Sequence, residues 1–168
     1  MEEPPLSWFD AEEHCNNEGG KLVEIDSEEE NTALVDEINR RGYSDRNMHF
    51  WIGLNELEVD GDWRLASNGL EPTYLNWHAG EPNEEGSEHC ARLRIGPSPY
   101  WRDTWSDVGC SVTSIIQGPY PAVSMHALCE FETSTESPPT EHTSTTTTAE
   151  DATSTEGTTT TEGVLTRI

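Results

Sequence analysis

Positive charge is scarce in this chain. Nine Lys and Arg stand against 33 Asp and Glu, a formal net charge of −24 over 168 residues. So few cations leave no basic patch for nucleic acid and no means of electrostatic docking on anionic lipid. No hydrophobic run is long enough to cross a bilayer, so direct membrane insertion is not expected. The opening Met1-Glu2-Glu3-Pro4-Pro5 has neither the basic start nor the apolar stretch of a secretory signal. The four cysteines form no C-x-x-C pair, which removes the usual zinc and dithiol motifs. The six histidines (His14, His49, His78, His89, His126, His142) are scattered, and no nucleophile–base spacing or metalloprotease motif occurs. No enzyme activity is therefore expected. Asn-x-Ser/Thr sequons are also absent.

What is present divides the chain in two. Residues 1–132 carry every Trp, Tyr, Phe and Cys, whereas 133–168 are mostly Thr, Ser, Glu, Pro and Ala. The second segment cannot bury enough apolar surface to offset its ordering entropy. The expectation is one folded domain over 1–132 and a disordered tail over 133–168. Thr145–Thr148 and Thr158–Thr161, with Pro138-Pro139 nearby, read as an O-glycosylated, mucin-like stalk or a bare flexible linker. The tail holds six acids and one arginine, so about −19 of the charge belongs to the domain. That acidity keeps a protein soluble and favours cations, Ca²⁺ first among them. Four separated cysteines indicate two disulfides, with three pairings open, and hence an oxidising, extracellular setting. A disulfide protein without a leader implies a true N-terminus upstream of this sequence.

Capping boxes mark two helices. Ser7-x-x-Asp10 precedes Trp8, Ala11 and Cys15 at helical spacing, so a helix is expected from Ser7 to Glu18, ended by Gly19-Gly20. Ser27-x-x-Glu30 opens a second, with Leu34, Val35 and Ile38 as its buried stripe and Gly42 as its stop. Glu30 is expected to reach back to the cap amide. Strands follow at His49–Asn55, Asp62–Leu65, Cys90–Ile95 and Leu128–Phe131. In Cys90–Ile95 the alternation of Cys, Arg and Arg with Ala, Leu and Ile predicts a half-buried strand. A Gly-, Pro- and Asn-rich loop spans Ala66–Glu88, and loops of that length in compact domains are usually functional. The class is α+β.

Within that loop lies Glu81-Pro82-Asn83, followed by Glu88 just before Cys90 and by Trp105-Ser106-Asp107 just before Cys110. These are hard oxygen donors, the kind Ca²⁺ prefers. Taken in order, Leu6-Ser-Trp-Phe-Asp-Ala-Glu-Glu-His-Cys15, Gly20-Lys-Leu22, Trp51-Ile-Gly-Leu54, Glu81-Pro-Asn83, Trp105-Ser-Asp107 with Cys110, and Leu128-Cys-Glu130 resemble a C-type lectin domain over Leu6 to Phe131.

The resemblance implies two helices flanking antiparallel sheets, a long Ca²⁺-binding loop region, and disulfides Cys15–Cys129 and Cys90–Cys110. It implies a Ca²⁺ and sugar site made of Glu81, Asn83, Glu88, Ser106 and Asp107, with a cis Glu81–Pro82 bond. It also implies core roles for Trp51, Gly53, Leu54 and Trp105. Glu-Pro-Asn belongs with mannose, glucose, N-acetylglucosamine and fucose type ligands in the family, so mannose-type glycans are the expected partners. Ser106 is a departure, since sugar-binding members carry Asn there. Glu56, Asp60 and Glu84 fall at an auxiliary Ca²⁺ site, but His89 replaces an expected Asp and is a poor ligand for so hard a cation. Val112–Val123 reads as an insertion. The family's first strand, upstream of Leu6, is not in the sequence, which leaves an open sheet edge. The rival function is a lectin-like module that binds protein or mineral without sugar. Homo-oligomerisation is possible in either case, and would set avidity.

Overall fold

The computed structural model describes residues 4–43, 48–83, 86–95, 103–115 and 122–132, and the backbone of 164–167. In chain order the elements are α1 (Trp8–Asn17), β1 (Lys21–Leu22), α2 (Glu28–Arg40), β2 (Met48–Asn55), β3 (Arg64–Leu65), β4 (Cys90–Leu93), β5 (Trp105–Val108), β6 (Ser114–Ile115), β7 (Val123–Ala127), β8 (Cys129–Glu132) and β9 (Val164–Arg167). One sheet runs β1-β8-β9. The larger one runs β5-β4-β2-β7-β6, with β3 also on β2. Its pairings are antiparallel except β2 with β7, which run parallel.

Both helices begin at the serines the sequence marks. The Ser7 side chain accepts from the Asp10 amide and Ser27 from the Glu30 amide, satisfying amides that have no partner within the helix. Glu30 does reach back, but one residue further than expected: its carboxylate accepts from the Asp26 amide at 2.9 Å. Gly42 ends α2 at φ 75°, a conformation that L side chains resist.

The larger sheet is covered on both faces. Phe50, Ile52 and Leu54 of β2 join α2, Trp63, Leu93 and Trp105 in one apolar cluster. Trp51 faces the other way, into a cluster with Trp8, Ala11, Met125 and the disulfide cysteines. Alternate residues of a strand point to opposite faces, so β2 serves both cores. Gly53 permits close approach there, because a Cβ would lie 2.9 Å from the Leu22 carbonyl oxygen. Trp51, Leu54 and Trp105 are core residues. Double coverage corrects one expectation: β4 is not half-buried, and all four of its residues, Arg92 included, are buried.

Cys15 bonds Cys129 across 114 residues of sequence, and Cys90 bonds Cys110 across 20. The ends of the segment read as an insertion pair as β6 and β7, Ser114 opposite Ser124 and Ile115 opposite Val123. Residues 116–121 lie outside the described residues. So do 133–163 of the tail. The tail's end departs from the expectation of disorder throughout, because β9 pairs with β8 at the edge of the smaller sheet. Among the described residues no helix is long and apolar enough to cross a membrane.

Candidate functional site

The long loop is tied to the domain along its length. Ser67 donates to Glu24 from both its amide and its hydroxyl, and Thr73 Oγ1 donates to the Asp26 carbonyl. Further on, the Trp105 amide donates to the Asn76 carbonyl and the His78 amide to the Trp105 carbonyl, each at 2.8 Å. Asn31, on α2, accepts from Trp105 Nε1 and donates to the Asp103 carbonyl, which also receives Asn76 Nδ2. The loop thus runs beside β5, and its tip meets Asp107.

At that tip the Glu81–Pro82 peptide is cis. The Asn83 amide donates to both oxygens of Asp107, at 3.3 and 3.2 Å, and Asn83 Nδ2 donates to Glu81 Oε2 at 2.9 Å. One asparagine therefore ties two acidic side chains together. Burial, then the hydrogen bond and charge of Asp107, push the Glu81 carboxyl up to about 7, and Glu88 adds to this. Arg94, whose Nη1 stands 4.0 Å from Glu81 Oε1, works in the opposite direction. Glu81, Asn83 and Asp107 are brought into contact, with Glu88 close enough to act on Glu81 electrostatically.

Ser106 is held by β4. It is 1 % exposed and accepts from Arg92 Nε at 2.9 Å. Consecutive strand residues point to opposite faces of the sheet, so Ser106 shares a face with its cross-strand partner Arg92, and Asp107 points to the other.

Of the auxiliary set, Glu84 lies outside the described residues. Glu56 is buried, not a surface acid. It accepts from the Gly61 amide at 2.6 Å and lies 3.3 Å from His89 Nδ1, while Asp60 stands 3.8 Å from the same nitrogen. Among the described residues no three His, Cys, Asp or Glu side chains form a ready metal cage. The donor chemistry of Glu81, Asn83, Glu88 and Asp107 nonetheless suits Ca²⁺, because crowded hard oxygens are what such a cation neutralises.

Sequence reasoning gave Arg92 and Arg94 no role at this site. Their signal was available, since two of only nine cations sit two residues apart, at the second and fourth positions after Cys90.

The family model described as Lectin C-type domain matches residues 4–116. The chain belongs to the C-type lectin domain family. Among curated relatives it is 34% identical to a perlucin-like protein of Mytilus galloprovincialis over 97 residues, 58% of this chain and 61% of that protein. The chain thus spans about three fifths of that relative's length. Among solved structures it is similar to the carbohydrate-recognition domain of cow CD23, solved in the presence of GlcNAc2Man3 oligosaccharide, with TM-score 0.52 and 31% identity, covering 65% of this chain and 74% of that one. It is also similar to a calcium-independent type II antifreeze protein, with TM-score 0.50 and 26% identity, covering 64% and 72%. The C-type lectin fold, with its two helices and two disulfides, is thereby the fold of this chain. The family is one of binding domains.

Proposed function

We propose that the loop end of this C-type lectin domain binds Ca²⁺ and, on it, mannose-type sugars of glycans and glycoproteins. The observation that carries this reading is the convergence of Glu81, Asn83 and Asp107, in which one asparagine bonds two acids and leaves Glu81 crowded by like charge. Glu81, Asn83, Glu88 and Asp107 would hold the ion, and the ion would supply Lewis-acid contacts to two adjacent sugar hydroxyls. The chain's own residues would orient those hydroxyls, each donating to a carboxylate and accepting from an amide, a donor that Asn83 supplies. Such charge-assisted bonds withstand competition from water. Secretion, a domain boundary near Glu132 and a mucin-like tail belong to the same reading, as does avidity through homo-oligomers.

A second reading is favoured by the placement of Ser106 against Arg92, which withholds one donor from the site. On it, the domain binds protein or mineral and needs no sugar. The likeness to a calcium-independent antifreeze protein is in keeping with it.

Affinity chromatography separates the two. The full chain, applied to mannose-agarose in Ca²⁺, is expected to be retained and to elute with EDTA. Passage through the column unretained refutes the mannose reading. A Ca²⁺-induced rise in melting temperature without retention supports the second.

A further inference from the structure

The smaller sheet is built on β8, with β1 along one edge and β9 along the other. The two edges are secured differently. On the first, Cys129 is bonded to Cys15 of α1, the Val23 amide donates to the Leu128 carbonyl at 2.8 Å, and Lys21 meets Glu130 at 2.9 Å. A disulfide, a backbone bond and an ion pair thus fix β8, and none of them involves β9. On the second edge, Val164–Arg167 adds four residue pairs, from Glu132 opposite Val164 to Cys129 opposite Arg167. Only two pairs are made with β1.

The sequence delivers β9 from far along the chain. Glu132 and Val164 lie opposite each other, and a turn of about two to five residues is enough to join such neighbours. Residues 133–163 stand between them instead, and that stretch contains no Val, Ile, Leu, Met, Phe, Trp or Tyr. Val164 and Leu165 are the first such residues after Phe131, and register puts Leu165 directly opposite Phe131. A strand-forming segment placed beyond so long a stretch meets β8 as a tethered ligand, not as half of a hairpin. Its pairing must overcome the closure entropy of that length. A fixed edge of amides and carbonyls accepts any extended segment of matching pattern.

We propose that the outer edge of β8 is a docking site for an extended peptide, added as a strand, and that Val164–Arg167 is the tethered segment that occupies it. The chemistry of the peptide follows from β8. Cys129 and Phe131 alternate with Glu130 and Glu132, so the added strand meets an apolar surface and carboxylates at alternate positions. An aliphatic residue suits the place opposite Phe131, where the chain supplies its own Leu165. A Lys or Arg suits the place opposite Glu132, which is exposed and which the chain fills with the uncharged Val164. A partner peptide with a cation there competes with the chain's own segment. None of these residues belongs to the loop end, and the inference does not depend on the sugar reading.

The test uses the full chain. Its amides at 164–167 are expected to exchange about tenfold more slowly than those of a free peptide of residues 162–168. Leu165→Pro with Thr166→Pro removes two successive amides, one of which must face β8, and is expected to vacate the edge. By fluorescence anisotropy, a labelled 162–168 peptide is expected to bind this double-proline chain about tenfold more tightly than the wild type, whose own segment competes at about millimolar effective concentration. The peptide carrying both prolines is expected not to bind. With Val164→Lys the peptide is expected to bind the wild type about threefold more tightly, a gain that fades at high salt.

Exchange of 164–167 in the wild type at the free-peptide rate overturns the proposal, with no variant required. So does a peptide that binds the folded double-proline chain no better than the wild type, or that binds equally well with prolines in it. If the double-proline chain does not fold, the wild type alone decides: a lysine peptide no tighter than its parent overturns the assigned peptide chemistry. A wild type that sediments as a dimer, and as a monomer once the prolines are introduced, places the strand on a second copy and overturns the tethered assignment.

Discussion

Two of the places where acidic side chains meet cations in this domain are built differently. Beside α2, Lys21 Nζ contacts both Glu24 and Glu130, the latter at 2.9 Å, next to a cleft of about 290 Å³ that Asp26 and Glu30 also line. Charge there is closed in direct contact. At the loop end, where Glu81, Glu88 and Asp107 act on one another, the approach is looser, and Arg94 Nη1 stands 4.0 Å from Glu81 Oε1. Two of those acids are bonded through Asn83 instead. The first arrangement joins β1 to β8 and to the segment that follows β1. The second crowds like charges together, with burial and Asp107 pushing the Glu81 carboxyl up to about 7, and that difference separates a structural ion cluster from a candidate binding site.

The largest expected effect sets the two ends apart by their disulfides. Replacing Cys15 and Cys129 with Ala reopens a 114-residue separation, about 5 kcal/mol in the chain-entropy picture. The cost of removing Cys90–Cys110, with a separation of 20, is about 3 kcal/mol. The smaller loss is nonetheless expected to do more harm to function, because that bond joins β4 to the chain just past Asp107. Urea unfolding and Ca²⁺ titration on both variants check this. If the Cys15–Cys129 variant, while still folded, loses Ca²⁺ response more than the other, the two ends are not independent.

Next in size is Lys21→Met. It strands two nearly buried carboxylates, at an expected cost of about 1–3 kcal/mol. Calcium affinity is expected to stay within about twofold, since the ion contacts of Lys21 are to Glu24 and Glu130 and not to the loop-end acids. An affinity change well beyond that would show that the Lys21 cluster reaches the loop end.

Acid stability probes the cationic layer from below. His49 lies in β2, where burial and then the charges of Arg92 and Arg94 push its imidazole down to about 2, against a hydrogen bond to the Ile95 backbone. In the unfolded chain it titrates near the ordinary value of about 6.5. Below that pH the unfolded state takes up a proton that the native state refuses, so stability falls as pH falls. The slope is at most about 1.4 kcal/mol per pH unit for this one group, over the window from about 6.5 toward 2. His49→Gln is expected to flatten the wild-type dependence by about one proton. Identical slopes would mean that His49 charges freely and that the arginines do not govern its surroundings.

Much of this architecture was legible in the sequence, and the failures have a common cause. Ser7, Ser27 and Gly42 act through local backbone chemistry, so their roles could be read without tertiary information. The ordered motifs around four cysteines carried the fold and the loop. Arg92 was misread because alternation in a strand reveals two faces but not what covers them. Both faces of β4 are covered, and a residue expected in water lies in the interior. Likewise β7 went unread beyond the segment taken as an insertion, which holds only its first residue, Val123, since its parallel partner β2 lies far back in the chain. The tail's β9 was hidden by the bias of its surroundings, although Val164-Leu165 interrupts that composition.

The smallest expected effect belongs to Ser106. From the sequence, Ser106→Asn is expected to restore a missing amide and strengthen sugar binding. The structure changes that expectation. Position 106 is enclosed, and its side chain already serves Arg92 Nε. A larger residue must displace the guanidinium or distort β5, and overpacking of this kind costs about 1–3 kcal/mol. Ser106→Asn alone is therefore expected to change retention on mannose-agarose by less than about threefold. Paired with Arg92→Met, which removes both the occupant and its charge, the same substitution is expected to gain more than the two single changes combined, the mark of side chains in contact. A strong gain from Ser106→Asn alone would show that Arg92 yields its place easily. The guanidinium would then be no more than a filler of the space beside position 106, unlike Lys21, whose charge is closed in direct contact.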